Sequence, residues 1–247
     1  MQSNPPNLTA IVLAGGRGTR LHGLHSDLPK PLIPCAGRPF VEWSLAALRR
    51  LGISDFVIST GHLAERFDEY LRRRPADGTT VRLVRETTPL GTGGAIRFAW
   101  QTRPERDVLV VNGDSLLMAD LAPAFLQFEP TDVDGVLVGV EQPDASRFGT
   151  LVFDANDTFR LRRFAEKQPG AGVINAGIYL LKSRLFARLP ETAPLSIERE
   201  VFPAWLADGV DLRVCVRYGE FLDIGTPESL AGADDFLKRH WQRSERP

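Results

Sequence analysis

Apolar and polar positions alternate with one rhythm over the first half of the chain. Leu8–Leu13 is an apolar run in which small and β-branched residues alternate, the pattern of a strand buried in a parallel sheet. It breaks into Gly15, Gly16, Arg17, Gly18, Thr19 and Arg20. The period then lengthens: Val41, Leu45, Leu48 and Leu51 recur at helical spacing, with Pro39 suited to the first turn and Gly52 as the stop. Phe56–Ile58 is a second strand, and Ala64–Arg74 a second helix whose Arg72-Arg73-Arg74 end suits the helix dipole. Val81–Val84 (strand), Gly93–Trp100 (helix) and Asp107–Val111 (strand) follow, the last leading into Asn112-Gly113-Asp114. Strand and helix thus alternate three times, which predicts a parallel sheet covered by helices.

Past residue 130 the rhythm turns to β. Gly135–Val140 reads as a strand, and Thr150–Phe153 with Thr158–Phe164 as a hairpin around Asp154-Ala155-Asn156-Asp157. Val173–Leu181 is strand-like. Ser196 is placed to cap a helix over Ile197–Ala207, with Glu198 and Glu200 in its first turn. Leu212–Val216 and Gly219–Leu222 are strands, and Pro227–His240 a closing helix. No Pro-, Gly- or Ser-rich linker divides the halves. The expectation is one domain over residues 1–247, with one lobe at about 8–130 and another at about 131–240. The C-terminal part has no hexapeptide repeat.

Composition narrows the class. At 247 residues, 43% hydrophobic and 25% charged, the chain matches a soluble globular protein. A formal net charge of −1 argues against a general nucleic-acid binder. No apolar run approaches the ~18 residues of a membrane span, and Met1–Asn7 lacks the apolar core of a signal peptide. Cys35 and Cys215 form no metal motif, so free thiols and a cytoplasmic location are expected. His22 and His25 lack a third ligand and read as surface residues or as residues that support a site without binding metal.

The glycine turn after the first strand is the first candidate for chemistry. Its backbone can approach a ligand and aim N–H groups at an anion, while Arg17, Arg20 and Lys30 of Pro29-Lys30-Pro31 add positive charge. A polyphosphate cradle is the natural reading. It is not a P-loop, because no Gly-Lys pair occurs, and the dinucleotide fingerprint fails because Leu21 stands where its third glycine belongs. That weakens a nicotinamide-dependent oxidoreductase. A second glycine-rich stretch, Glu86-Thr87-Thr88-Pro89-Leu90-Gly91-Thr92-Gly93-Gly94-Ala95, opens a helix, and by itself fits a turn as well as an anion site. Asp114 follows an apolar strand, where a carboxylate suits either a turn or a magnesium ion. Asp223 sits in an apolar run, Phe221-Leu222-Asp223-Ile224-Gly225-Thr226-Pro227, three residues before the cap Thr226, so capping does not account for it.

The order Leu-Ala-Gly-Gly-x-Gly-Thr-Arg-Leu, Pro-Lys-Pro, Pro-Leu-Gly-Thr-Gly-Gly-Ala and Phe-Leu-Asp-Ile-Gly-Thr-Pro resembles the sugar nucleotidyltransferases from about Ala10 to Pro227. D-glycero-D-manno-heptose 1-phosphate guanylyltransferases are the nearest resemblance and mannose-1-phosphate guanylyltransferases the alternative. The resemblance implies an α/β, Rossmann-like nucleotidyltransferase fold, with a mostly parallel central sheet covered by helices and an additional β-rich sugar-binding lobe. It implies transfer of a nucleotidyl group from GTP to a sugar 1-phosphate for surface glycan synthesis, releasing pyrophosphate without a covalent enzyme intermediate, so Cys35 is no nucleophile. A regulatory nucleotide-sugar-binding subunit is the non-enzymatic alternative.

Carried over by position, Leu13, Ala14, Gly15, Gly16, Gly18, Thr19, Arg20, Lys30, Gly91, Thr92 and Gly113 are expected at the nucleotide. Asp114 and Asp223 are expected to share Mg2+. Gly149 of Arg147-Phe148-Gly149, with Glu166, Lys167 and Asn175, is expected at the sugar phosphate, and Arg20, Lys30, Asp114 and Lys167 in catalysis. Apolar edges near Phe125 and Phe128 could serve a homodimer interface.

Overall fold

Strand β1 (Leu8–Ala14) is the axis on which the molecule is built, with Ala10, Ile11 and Val12 wholly buried. The computed structural model describes residues 8–16, 18, 21, 25–154, 159–165, 169–191 and 194–242. A 3-10 turn, Lys30–Leu32, and a two-stranded ribbon of β2 (Pro34–Cys35) and β3 (Arg38–Pro39) lead into α1 (Phe40–Arg50). Then come β4 (Asp55–Thr60), α2 (Ala64–Arg73), β5 (Thr80–Arg85), α3 (Gly91–Trp100) and β6 (Asp107–Asn112). β1 pairs in parallel with β4 and β6, and β4 with β5, so the predicted alternation holds.

The second half adds β7 (Ser115–Met118), α4 (Ala122–Phe128), β8 (Gly135–Gln142), β9 (Thr150–Asp154), β10 (Arg160–Ala165) and β11 (Gly172–Leu181). A 3-10 turn, Ser183–Arg188, and a π-helix, Ile197–Val201, precede α5 (Phe202–Ala207). β12 (Leu212–Arg217), β13 (Glu220–Asp223), α6 (Pro227–Ala231) and α7 (Ala233–Gln242) close the fold. The main sheet runs β5-β4-β1-β6-β11-β8-β12-β10-β9. β11 is antiparallel to both β6 and β8, while β12 returns parallel to β8.

The pleat of β1 divides the core. Ala10 and Val12 face a cluster with Val41 and Leu45 of α1, Phe67 of α2 and Phe128 of α4. Ile11 faces the other side, with Ile96 and Ala99 of α3 and Phe202 and Trp205 of α5. A third cluster, in which Trp43 meets Trp241 edge-on at 4.8 Å, packs α7 and the start of α1 against the ribbon of β7 and β13.

Local capping follows the sequence. Ser196 accepts from the Arg199 N–H, and Thr226 with Ser229 forms a capping box on α6. Several features depart from expectation. The closing helix divides at Gly232, and the helix expected from Ile197 opens as a π-helix. β7 and α4 were not foreseen, because each is a short apolar stretch whose partner is distant in sequence. Finally, Phe128 is only 3% exposed, with the Lys182 ammonium 4.0 Å from its ring centroid, and Phe125 packs against the same core. The apolar edge expected at an interface therefore closes this chain's own core, leaving Leu126 exposed on that helix. Among the described residues, no helix is long and apolar enough to cross a membrane.

Candidate active site

The parallel strands β1, β4, β5 and β6 all end on one side of the sheet, where open α/β folds leave a crevice. A cavity of about 640 Å³ lies there, within the size range of small-molecule sites. Leu13, Ala14, Gly15, Gly16, Lys30, Gly91, Thr92 and Asp114, all expected from the sequence, line it. Gly113 is held beneath by its N–H, which donates to the Leu13 carbonyl at 2.9 Å, and Gly18 packs against the Lys30 side chain. Arg17, Thr19, Arg20, His22, Glu166 and Lys167 lie outside the described residues.

Lys30 is delivered by the 3-10 turn that its two flanking prolines favour, and its Nζ lies 3.0 Å from Asp114 Oδ2. Asp114 precedes β7 and Asp223 ends β13. Because those strands pair antiparallel with Asp223 opposite Ser115, the two carboxylates come together, and the Ile224 N–H donates to the Asp114 carbonyl at 2.9 Å. Burial, and then the charge of Asp114, push the Asp223 carboxyl above its ordinary range; the Gly225 N–H, Lys30 and Arg147 oppose that shift. Two like charges held side by side and backed by one ammonium suit a hard divalent cation, which prefers oxygen ligands. No third His, Cys, Asp or Glu completes a metal cluster among the described residues. The donor set therefore fits magnesium only with substrate oxygens or water in the remaining positions.

The second glycine stretch behaves differently from the first. Gly91 has φ +70, and a Cβ there would stand 2.4 Å from the Leu195 carbonyl oxygen. The Gly93 N–H donates to Leu195 O at 2.8 Å, the Leu195 N–H returns to Leu90 O at 2.8 Å, and Thr92 Oγ1 accepts from the Ile197 N–H at 2.9 Å. This loop therefore walls the cavity while bonding the segment before α5.

Sequence reasoning assigned no role to Glu86, which lines the cavity between the two glycine stretches. Its Oε1 accepts from Ser59 Oγ at 3.2 Å and its Oε2 from the Leu90 N–H at 3.1 Å. The available signal was an acidic residue closing a strand immediately before a glycine-rich loop.

In the second lobe, the Asn175 N–H donates to the Gly149 carbonyl at 3.3 Å, bringing those two predicted residues together. Arg147 reaches Thr226 Oγ1 at 3.4 Å and thus approaches the Asp223 loop. Both cysteines are buried free thiols. Burial, aided by the charge of Asp234, pushes Cys35 up to about 11, so it stays protonated at neutral pH, as a non-nucleophile should.

Comparison with known proteins supplies a context for this geometry. The family described as nucleotidyl transferase matches residues 9–240. A mannose-1-phosphate guanylyltransferase of Mycobacterium tuberculosis is 37% identical over 239 residues, covering 93% of this chain but 64% of that relative. A D-glycero-alpha-D-manno-heptose 1-phosphate guanylyltransferase of Aneurinibacillus thermoaerophilus is 30% identical over 243 residues, covering 94% of this chain and 100% of the relative. The crystal structure of HddC from Yersinia pseudotuberculosis complexed with GMP-PN superposes with a TM-score of 0.82 at 30% identity, over 94% of this chain and 100% of that one.

Proposed function

Because the chain belongs to the nucleotidyl transferase family, we propose that it transfers the nucleotidyl group of GTP to a sugar 1-phosphate and releases pyrophosphate. One observation carries the reading: Lys30 and Asp114 line a glycine-walled cavity and Asp223 stands beside Asp114, a set that fits a triphosphate and the charge that develops on it. A phosphate oxygen of the sugar 1-phosphate attacks the α-phosphorus, and pyrophosphate leaves in line. The nucleophile is anionic at neutral pH, so the chain has to align the reactants and offset charge; it needs no strong base.

Asp114 and Asp223 would hold a magnesium ion, which when bound neutralises charge on the triphosphate. Lys30 does the same from the β1 side, joined by Arg20, while Lys167 holds the attacking phosphate. Glu86 selects the base. Its carboxylate accepts hydrogen bonds only, and guanine offers two adjacent donors, a ring N–H and an amino group, where uracil and thymine offer one. A site built to hold both donors rejects bases that lack one of them.

For the acceptor we favour a manno-heptose 1-phosphate, because the chain covers the whole length of the heptose relative. Mannose 1-phosphate is the second reading, favoured by the higher identity to the mycobacterial protein. Pyrophosphate release over a grid of four nucleoside triphosphates and several sugar 1-phosphates, with magnesium present, tests both. GTP with the heptose phosphate should give the highest kcat/KM. UTP or dTTP with a hexose phosphate as the best pair would overturn the assignment of base and sugar. No release with any pair would overturn the transfer reaction and favour a binding subunit.

A further inference from the structure

Asn175, expected at the sugar, has little hydrogen-bonding capacity left to offer it. Its Oδ1 accepts from the Gly177 N–H at 3.0 Å, which fixes the orientation of the amide. Its Nδ2 then donates to Tyr179 Oη at 2.7 Å and to Glu198 Oε1 at 2.6 Å, using both hydrogens. Tyr179 is buried and gives its own proton to Glu198 Oε1 at 3.3 Å. Burial and the Glu198 charge hold that phenol far above its usual range, so it remains a donor.

The three groups meet on a single oxygen. Glu198 stands at the open side with Oε1 held by two donors, and its Oε2 has no partner among the described residues. Its place is set from both lobes. Ile197, next to it, donates to Thr92 of the cavity wall, and Gly177 abuts the side chain of Asn112, another cavity residue. Glu198 therefore lies at the border between the triphosphate cavity and the second lobe. A carboxylate there repels phosphate and attracts O–H donors, so it fits the sugar ring and neither phosphate.

Resting on the nucleotidyl-transfer reading above, we propose that Glu198 is a sugar-binding residue whose free Oε2 accepts a ring hydroxyl of the sugar 1-phosphate, with Asn175 and Tyr179 as its positioning residues. Loss of a hydrogen bond to a charged acceptor corresponds to about 10- to 100-fold in kcat/KM.

The experiment compares wild type with Glu198→Gln, an isosteric change at an exposed position, under saturating GTP and magnesium. The acceptors are mannose 1-phosphate or manno-heptose 1-phosphate, whichever is turned over, and its monodeoxy analogues. In wild type, one deoxy analogue should lose about 10- to 100-fold in kcat/KM. Glu198→Gln should lose a similar factor on the parent sugar, show little further loss on that same analogue, and keep its KM for GTP. Tyr179→Phe should weaken the same discrimination part of the way. A variant that keeps the full deoxy penalty, or that loses equally on every acceptor and on GTP, overturns the inference while leaving the transfer reading intact. A wild type that turns over no sugar 1-phosphate overturns both.

Discussion

The turn after β1 leaves nothing within 4 Å of where a Cβ on Gly16 would stand, whereas a Cβ on Gly91 at the head of α3 would run into the Leu195 backbone. In sequence the two stretches look alike: each is a glycine-rich run that follows a strand. In the folded chain Gly16 of the first stretch stays open beside the cavity, and the second stretch packs against the segment that leads to Glu198. Absence of a side chain leaves open space beside the cavity in one case and admits the protein's own backbone in the other. Alterations on the first side should thus change activity more than stability, and on the second the reverse.

The sharpest separation is expected at Asp114, which faces the open turn through Lys30. Asp114→Asn should cut turnover by a factor on the order of 10²–10³. Stability should change by no more than about 1 kcal/mol, because a part-exposed ion pair contributes little. A large drop in melting temperature with turnover preserved would reverse the comparison. Next is Gly91→Ala, which must hold a Cβ at positive φ against a carbonyl; it should destabilise by about 2–3 kcal/mol in thermal melts. An unshifted melt would mean that the loop does not need its bond to Leu195.

Thr92→Val removes the acceptor for the buried Ile197 N–H and should cost about 1 kcal/mol. If its main effect is instead on the KM for GTP, the hydroxyl serves the nucleotide and the contrast between the loops weakens. Gly16→Ala has room for its methyl and should stay within about 0.5 kcal/mol of wild type while raising the KM for GTP. A loss of stability matching that at Gly91 would abolish the distinction.

The finest test is of pH. Asp223 has a raised carboxyl in the folded state, so the stability attached to it is full below the ordinary carboxylate range and is lost as pH rises through the folded value. Asp223→Asn should therefore melt higher than metal-free wild type at pH 7, with the gain fading in acid as the wild-type carboxyl protonates. Equal melts at pH 7 would mean that the pair carries no strain.

These contrasts also mark what a reader of the chain can see in advance. β1, α1 and α3 were legible because unbroken apolar runs and helical spacing act within a few residues, and glycines or prolines punctuate them. β7 carries little local signal, since it is four residues long and makes sense only through β13, whose stretch Gly219–Leu222 does read as a strand. Lys30, Asp114 and Asp223 could be picked out because each interrupts a strong local pattern. Glu86 has only its place between a strand and a glycine-rich loop to mark it, and Glu198 reads in sequence as an ordinary acid in a first helical turn. Gly91 and Thr92 are expected at the nucleotide only through the family resemblance, and their bonding to Leu195 and Ile197 depends on where the second half of the chain folds back.

The β7–β13 ribbon has a consequence for how the enzyme comes into being. Chains emerge from the ribosome with their N-terminal part first, and a domain folds as a unit. The glycine turn, Lys30 and Asp114 are all synthesised well before β13, so the Asp114–Asp223 pair forms only when nearly the whole chain has been translated. Pairing of β13 with β7 then acts as a completion check. Until that late strand docks, Asp114 has no partner carboxylate beside it.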